Sequence, residues 1–247
     1  MKRPLLSVLV LPWAILAAAS AAQAQVSRCA DCHLSRQDGP NPSHVEAWAR
    51  SVHRDVGCER CHDGNAGTFE PISAHQGILT SGNPRSPVHR RNLPATCGAC
   101  HLGPLTAFQQ SRHHQLLEAG RVPAPSCSTC HDDVQGRLLS PKALASECNT
   151  CHGPRGSAPR TDRAREVREQ YEALRVVRQD LKLADALIKR VEERERRTRL
   201  RQAYDALQPA LTRAIAAGHK FVYDEMKEHL ARTEQRVQQL LTSLANR

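Results

Sequence analysis

Apolar residues fall into three patterns along this chain. The first is a continuous run from Leu5 to Ala19, behind Lys2 and Arg3 and ahead of Ala22-Gln23-Ala24. A basic start, an apolar stretch and a small-x-small site are the parts of an export signal, so residues 1–24 are expected to be removed by cleavage before Gln25. The run approaches the ~18 residues that can span a bilayer. An uncleaved anchor is therefore the rival reading, against which Pro12 and the cleavage site argue. The second pattern is helical and begins beyond Pro159. Val167, Tyr171, Leu174, Val177 (or Val176), Leu181, Ala184, Ile188 and Val191 recur every three or four residues. Two further series run through Leu200, Tyr204, Leu207, Leu211 and Ile215, and through Val222, Met226, Leu230, Val237, Leu241 and Leu244. Such spacing puts the apolar residues on one helix face, which predicts two or three long antiparallel helices over 160–247. Breaks are expected near 194–198 and near Gly218, and Pro209 suits a helix start or a kink. Between these regions, over 25–155, no period is sustained. Gly and Pro recur there, in DGPNPSH, SGNPRSP and GRVPAPS, as they do in loops.

The ten cysteines show how a loop-rich segment is held. They fall as Cys29-x-x-Cys32-His33, Cys58-x-x-Cys61-His62, Cys97-x-x-Cys100-His101, Cys127-x-x-Cys130-His131 and Cys148-x-x-Cys151-His152, with none left over. This is the spacing of covalent c-type haem attachment, in which two thiols form thioethers and the adjacent histidine is the proximal iron ligand. Tetrahedral zinc needs Cys-x-x-Cys units in pairs, whereas here an odd number of units each carries its own histidine. A redox dithiol has no reason to recur five times. Five haem c groups are expected, each held by one cysteine pair.

Those cofactors change the meaning of the composition. Aromatics make up only 3% of the chain, a poor supply for a core, and the flat apolar porphyrins are expected to serve as the core of residues 25–155. The formal charge of +10 falls to +8 once Lys2 and Arg3 are removed. Haem propionates, roughly −10 for five haems, nearly cancel that excess. A nucleic-acid partner is accordingly not expected. Arg85, Arg90 and Arg91 read as propionate partners. The Arg/Glu density beyond residue 160 reads as the solvated side of the helices. Neither a Gly-rich phosphate loop nor a nucleophile elbow is present.

Eight of the thirteen histidines stand outside the motifs: His44, His53, His75, His89, His113, His114, His219 and His229. Methionine is scarce, with Met1 and Met226 only, so the sixth iron position falls to histidine, water or a less usual ligand. Trp48-x-x-Ser51-x-His53 repeats as Phe108-x-x-Ser111-x-His113, each time ahead of a haem motif. A duplicated pattern ending in histidine suggests a distal ligand on a short helix. Gly218 lets backbone approach a flat ring closely, which makes His219 a candidate that reaches back to the haem region.

The chain resembles multihaem c-type cytochromes of the broad group that includes hydroxylamine oxidoreductase and the pentahaem ammonia-forming nitrite reductase. The residues that carry the likeness are WARSVH (48–53) before the second motif, SAHQGILTSGNPRSPVHRRNLPATCGACH (73–101), and a helical region after the last motif with His219-Lys220-Phe221 inside it. The resemblance implies mainly bis-histidine haems, with distal roles for His53, His75, His89 and His113 and with His44 or His219 completing the set. Two departures weigh against catalysis. No motif carries lysine in place of histidine, and no tyrosine is identified as a cross-link to an active haem.

The expectation is thus a mainly helical protein: a loop-rich, haem-packed domain over 25–155 and an antiparallel helical region over 160–247. Its role would be electron transfer in the periplasm between other redox proteins. An oxidoreductase acting on a small nitrogen or sulfur compound (nitrite, hydroxylamine, tetrathionate) at a five-coordinate haem is one alternative, and whether the chain is an enzyme stays open. A membrane-tethered quinol dehydrogenase is the other, membrane contact depending on a retained signal segment. Homo-oligomers would form through the C-terminal helices.

Overall fold

The computed structural model describes residues 28–35, 42–120, 124–132 and 134–246. The signal segment and its cleavage site lie outside them. Short helices dominate the first part: α1 (Arg28–Ser35), α2 (Pro42–Ala49), α3 (Glu59–His62), α4 (Pro71–Ala74), α5 (Leu93–Gly98), α6 (Leu102–Gln109), α7 (Arg112–Glu118) and α8 (Cys127–Cys130). Next comes an antiparallel pair, β1 (His131–Asp132) with β2 (Arg137–Leu138), the one sheet among the described residues. Helix α9 (Pro141–His152) carries the last motif, started by Ser140, whose hydroxyl accepts the Ala143 N–H at 3.2 Å.

Four helices follow: α10 (Asp162–Ile188), α11 (Arg194–Asp205), α12 (Gln208–Lys220) and α13 (Tyr223–Ala245). The expected face of α10 is buried through Val167, Leu174, Val177, Leu181, Ala184 and Ile188, and Val176 is exposed, which settles the choice between neighbouring valines. Each of the Val, Leu and Ile side chains is worth about 1.5–3 kcal/mol of burial, an upper figure because the unfolded chain is itself partly collapsed. Leu200 and Leu207 are buried, and Tyr204, Leu211 and Ile215 pack beside them. On α13, Thr233 fills the step between Leu230 and Val237; it is fully buried and its hydroxyl donates to the His229 carbonyl at 2.7 Å. A backbone acceptor one turn earlier satisfies that hydroxyl, so a polar residue continues an apolar stripe.

Helix ends fall a few residues from where the pattern placed them. Helix α11 starts at Arg194 because the Glu193 carboxylate accepts the Arg196 N–H at 3.1 Å. The break therefore lies at 189–193. Pro209 begins α12 where a missing N–H costs nothing, and Gly218 lies inside that helix. The turn comes at Phe221, in the left-handed region at φ 61°. Gly218 admits a close approach by Tyr171 and Met226: a Cβ there would sit 2.9 Å from the Tyr171 hydroxyl and 3.2 Å from the Met226 sulfur.

The helical region is packed onto the motif-bearing region. Helix α10 lies against α9 and α12 against α6, and Leu138, Leu139, Leu144 and Cys148 join the same core. A smaller cluster comprises Phe108, Leu117 and Ala124. Phe221 packs on both clusters. Among the described residues, no helix is long and apolar enough to cross a membrane.

Candidate haem-binding site

On a helical turn, residues three and four apart share a face. The first, second and fifth motifs thus offer two thiols and an imidazole on one side of a helical segment, whereas His101 follows the end of α5 and His131 opens β1 directly after α8. All ten cysteines are free of disulfides. The five motif histidines are then met by five others. The imidazole centroids of His33 and His75 are 5.9 Å apart, those of His62 and His44 5.9 Å, those of His101 and His53 6.0 Å, those of His152 and His113 6.0 Å, and those of His131 and His219 6.2 Å. An imidazole nitrogen sits about 2 Å from the metal it binds and about 1 Å from its own ring centre, so two rings flanking one ion have centroids about 6 Å apart. The residues present fit an iron held between two imidazoles at every motif.

Hydrogen bonds set the rings up for this use. Nδ1 of His53 lies 3.0 Å from the Val134 carbonyl, that of His75 2.7 Å from Pro71 O, that of His131 3.3 Å from Gly136 O, that of His152 2.7 Å from Ala158 O and that of His219 2.8 Å from Ile215 O. A carbonyl only accepts, so each Nδ1 carries the proton and leaves the Nε2 lone pair for a metal. Burial, followed by the facing His152, pushes the His113 imidazole down to about 4. Burial first and then a neighbouring imidazole also lower His62 (from His44) and His131 (from His219 and His101). A neutral ring is the form that ligates.

His89, expected as a distal ligand, belongs to none of the five pairs. Its Nδ1 accepts the Arg91 N–H, weakly, at 3.4 Å, so the neutral ring holds its proton on Nε2, the opposite tautomer from the paired rings. His44 and His219 stand in pairs instead. His114 and His229 turn Nε2 toward Glu118 and Glu225, 3.9 Å away in each case. Arg90 and Arg91, read as propionate partners, donate to the backbone carbonyls of Ala124 and Glu118 and tie the 86–92 loop to the segment before α8 and to the end of α7.

The sites follow one another in chain order. Helix α1 touches α2, which carries the His44 that faces His62. Helix α3 touches α5, α5 touches α8 and α8 touches α9. Cysteines meet at these contacts: Cys97 hydrogen-bonds Cys127, and the Cys130 thiol is pushed up to about 12 by burial and then by Cys148.

Paired imidazoles beside paired thiols would suit a protein that holds haem through thioethers and histidines. Comparison with known proteins narrows that class. Residues 83–153 match the family model for cytochrome c7 and related cytochrome c, and residues 15–63 match that for cytochrome c554 and c-prime. The matches indicate a multihaem c-type cytochrome with a haem-based electron-transfer role, and these families imply covalently bound haem c. No curated protein and no solved structure matches the chain.

Proposed function

We propose that the chain is a periplasmic pentahaem cytochrome that carries electrons between redox partners, with every iron bound by two histidines. One observation carries this reading: each of the five motif histidines faces a second imidazole at 5.9–6.2 Å. The pairs are His33–His75, His62–His44, His101–His53, His131–His219 and His152–His113. Ligands on both faces leave no position for a small molecule, which favours a carrier over the oxidoreductase reading. Histidine ligation without methionine favours low potentials, tuned site by site through burial and the Nδ1 hydrogen bonds.

The deciding experiment combines intact mass with magnetic spectra of the purified holoprotein. The expected mass is the polypeptide from Gln25 plus five haems, and the expected spectrum is low-spin throughout. A high-spin iron in the parent protein, with turnover of nitrite or hydroxylamine, would replace the carrier reading by the enzymatic one. An isolated protein that begins ahead of Gln25 would bring back the membrane-tethered form.

A further inference from the structure

Phe221 adopts a backbone conformation that its side chain opposes. Its φ of 61° and ψ of 33° lie in the left-handed region, where the Cβ of an L-residue crowds the following carbonyl and where glycine is the usual occupant after a helix. The hydrogen bonds of such a helix end are in place: Phe221 N–H donates to Gly218 O at 3.1 Å and Val222 N–H to Ala217 O at 3.0 Å. Glycine stands at the left-handed positions 64, 77, 120 and 136, and Asp63 is the other non-glycine residue with positive φ among the described residues. A bulky residue held in such a conformation points to a compensating role of its ring.

The ring has one. Its centroid is 4.2 Å from that of the His113 imidazole, with the planes at 67°, and 6.2 Å from that of Phe108. His113 and His152 face each other at 6.0 Å with their planes at 68°. Unlike His53, His75 and His219, His113 has no Nδ1 hydrogen bond to a backbone carbonyl among the described residues, a lack it shares with the motif histidines His33, His62 and His101. Packing against Phe221 takes the place of that restraint. Two residues earlier, His219 faces His131. The last turn of α12 therefore serves two neighbouring sites, one through a ligand and one through a packed ring.

We propose that Phe221 is a positioning residue that fixes the plane of the His113 imidazole, and that its strained backbone is the condition for that contact. This rests on the reading of His113 and His152 as ligands of one haem. The test is magnetic spectroscopy and cyanide binding on holoprotein of the parent and of Phe221→Gly, Phe221→Leu and Phe221→Tyr. Phe221→Gly relaxes the backbone and removes the ring; Phe221→Leu keeps apolar bulk without an aromatic ring; Phe221→Tyr keeps the ring. The expected result is a changed signal from one haem of the five in the Gly and Leu variants, with cyanide bound to that one haem, while the Tyr variant matches the parent. A parent-like spectrum in Phe221→Leu, or a change spread over all five haems, overturns the proposal. If Phe221→Gly does not assemble, Phe221→Leu decides alone. His113→Ala separates this from the underlying reading: an unchanged low-spin count in that variant removes His113 as a ligand, whatever Phe221 does.

Discussion

A histidine that binds iron through Nε2 keeps its proton on Nδ1, and five of the ten paired rings are fixed in that form. The rings of His53, His75, His131, His152 and His219 are held so by backbone carbonyls, whereas His89 has Nδ1 turned to accept. His53→Ala is expected to convert one of five low-spin haems, the one at His101, to a high-spin form that binds cyanide. His89→Ala is expected to leave all five unchanged. Side-by-side magnetic spectra of the two variants check both statements, and a change at His89 alone would reverse the assignment. The repeat that ends in His53 and His113 was readable in the sequence because Ser51 and Ser111 recreate one local geometry, each donating its N–H to the aromatic residue's carbonyl, at 2.9 and 2.8 Å. Partner choice was not readable. Both repeat histidines face a motif other than the next one along the chain, and such long-range pairing depends on how the segments pack.

At the scale of elements, the apolar periods marked the helical region because burial of one face is what stabilises it, but four helices stand where two or three were expected: the series from Leu200 to Ile215 is divided between α11 and α12, which restarts with Pro209 in its first turn. Their ends were less legible, since caps decide those: Glu193 for α11 and a phenylalanine in a glycine's conformation for α12. The arginine-rich stretch of α11 likewise has more specific work than solvation. Arg196 donates to the carbonyls of Ser243 and Asn246 at the end of α13, Arg197 to Val191, and Arg201 pairs with Asp185 at 2.8 Å. Cations at helix C-termini complement the exposed carbonyls there. Asp185 is also 2.6 Å from Lys189, and these partners hold its carboxyl below the usual aspartate range. A depressed folded value means stability present above that range and lost as pH falls through the folded value. Asp185→Asn is therefore expected to lower the melting temperature at neutral pH, and that deficit is expected to shrink at an acid pH below the usual aspartate range, as the parent's carboxylate takes up its proton. Thermal melts at the two pH values measure this, and an equal deficit at both would assign the loss to packing. Within the bundle, Met226 is fully buried, and Met226→Ala is expected to cost about 2–5 kcal/mol in denaturant unfolding.

For the whole molecule, the proposed haems are expected to supply most of the core of the motif-bearing region, where Phe108, Leu117 and Ala124 form only a small buried cluster. Replacing Cys58 and Cys61 by alanine is expected to remove one haem mass and to raise protease sensitivity around α3; resistance equal to the parent's would mean that the polypeptide packs without the porphyrin. The helical region places His219 opposite His131, so under the proposed reading the two parts of the chain depend on each other at the fourth site. The order of the pairs also sets a timetable. A chain that emerges N-terminus first presents both histidines of the second site by residue 62, of the first by 75, of the third by 101 and of the fifth by 152. The fourth waits for residue 219. On this reading, a chain cut short anywhere between 152 and 219 would hold both histidines of four sites and only one of the fourth, so the fourth site registers whether synthesis ran through α12.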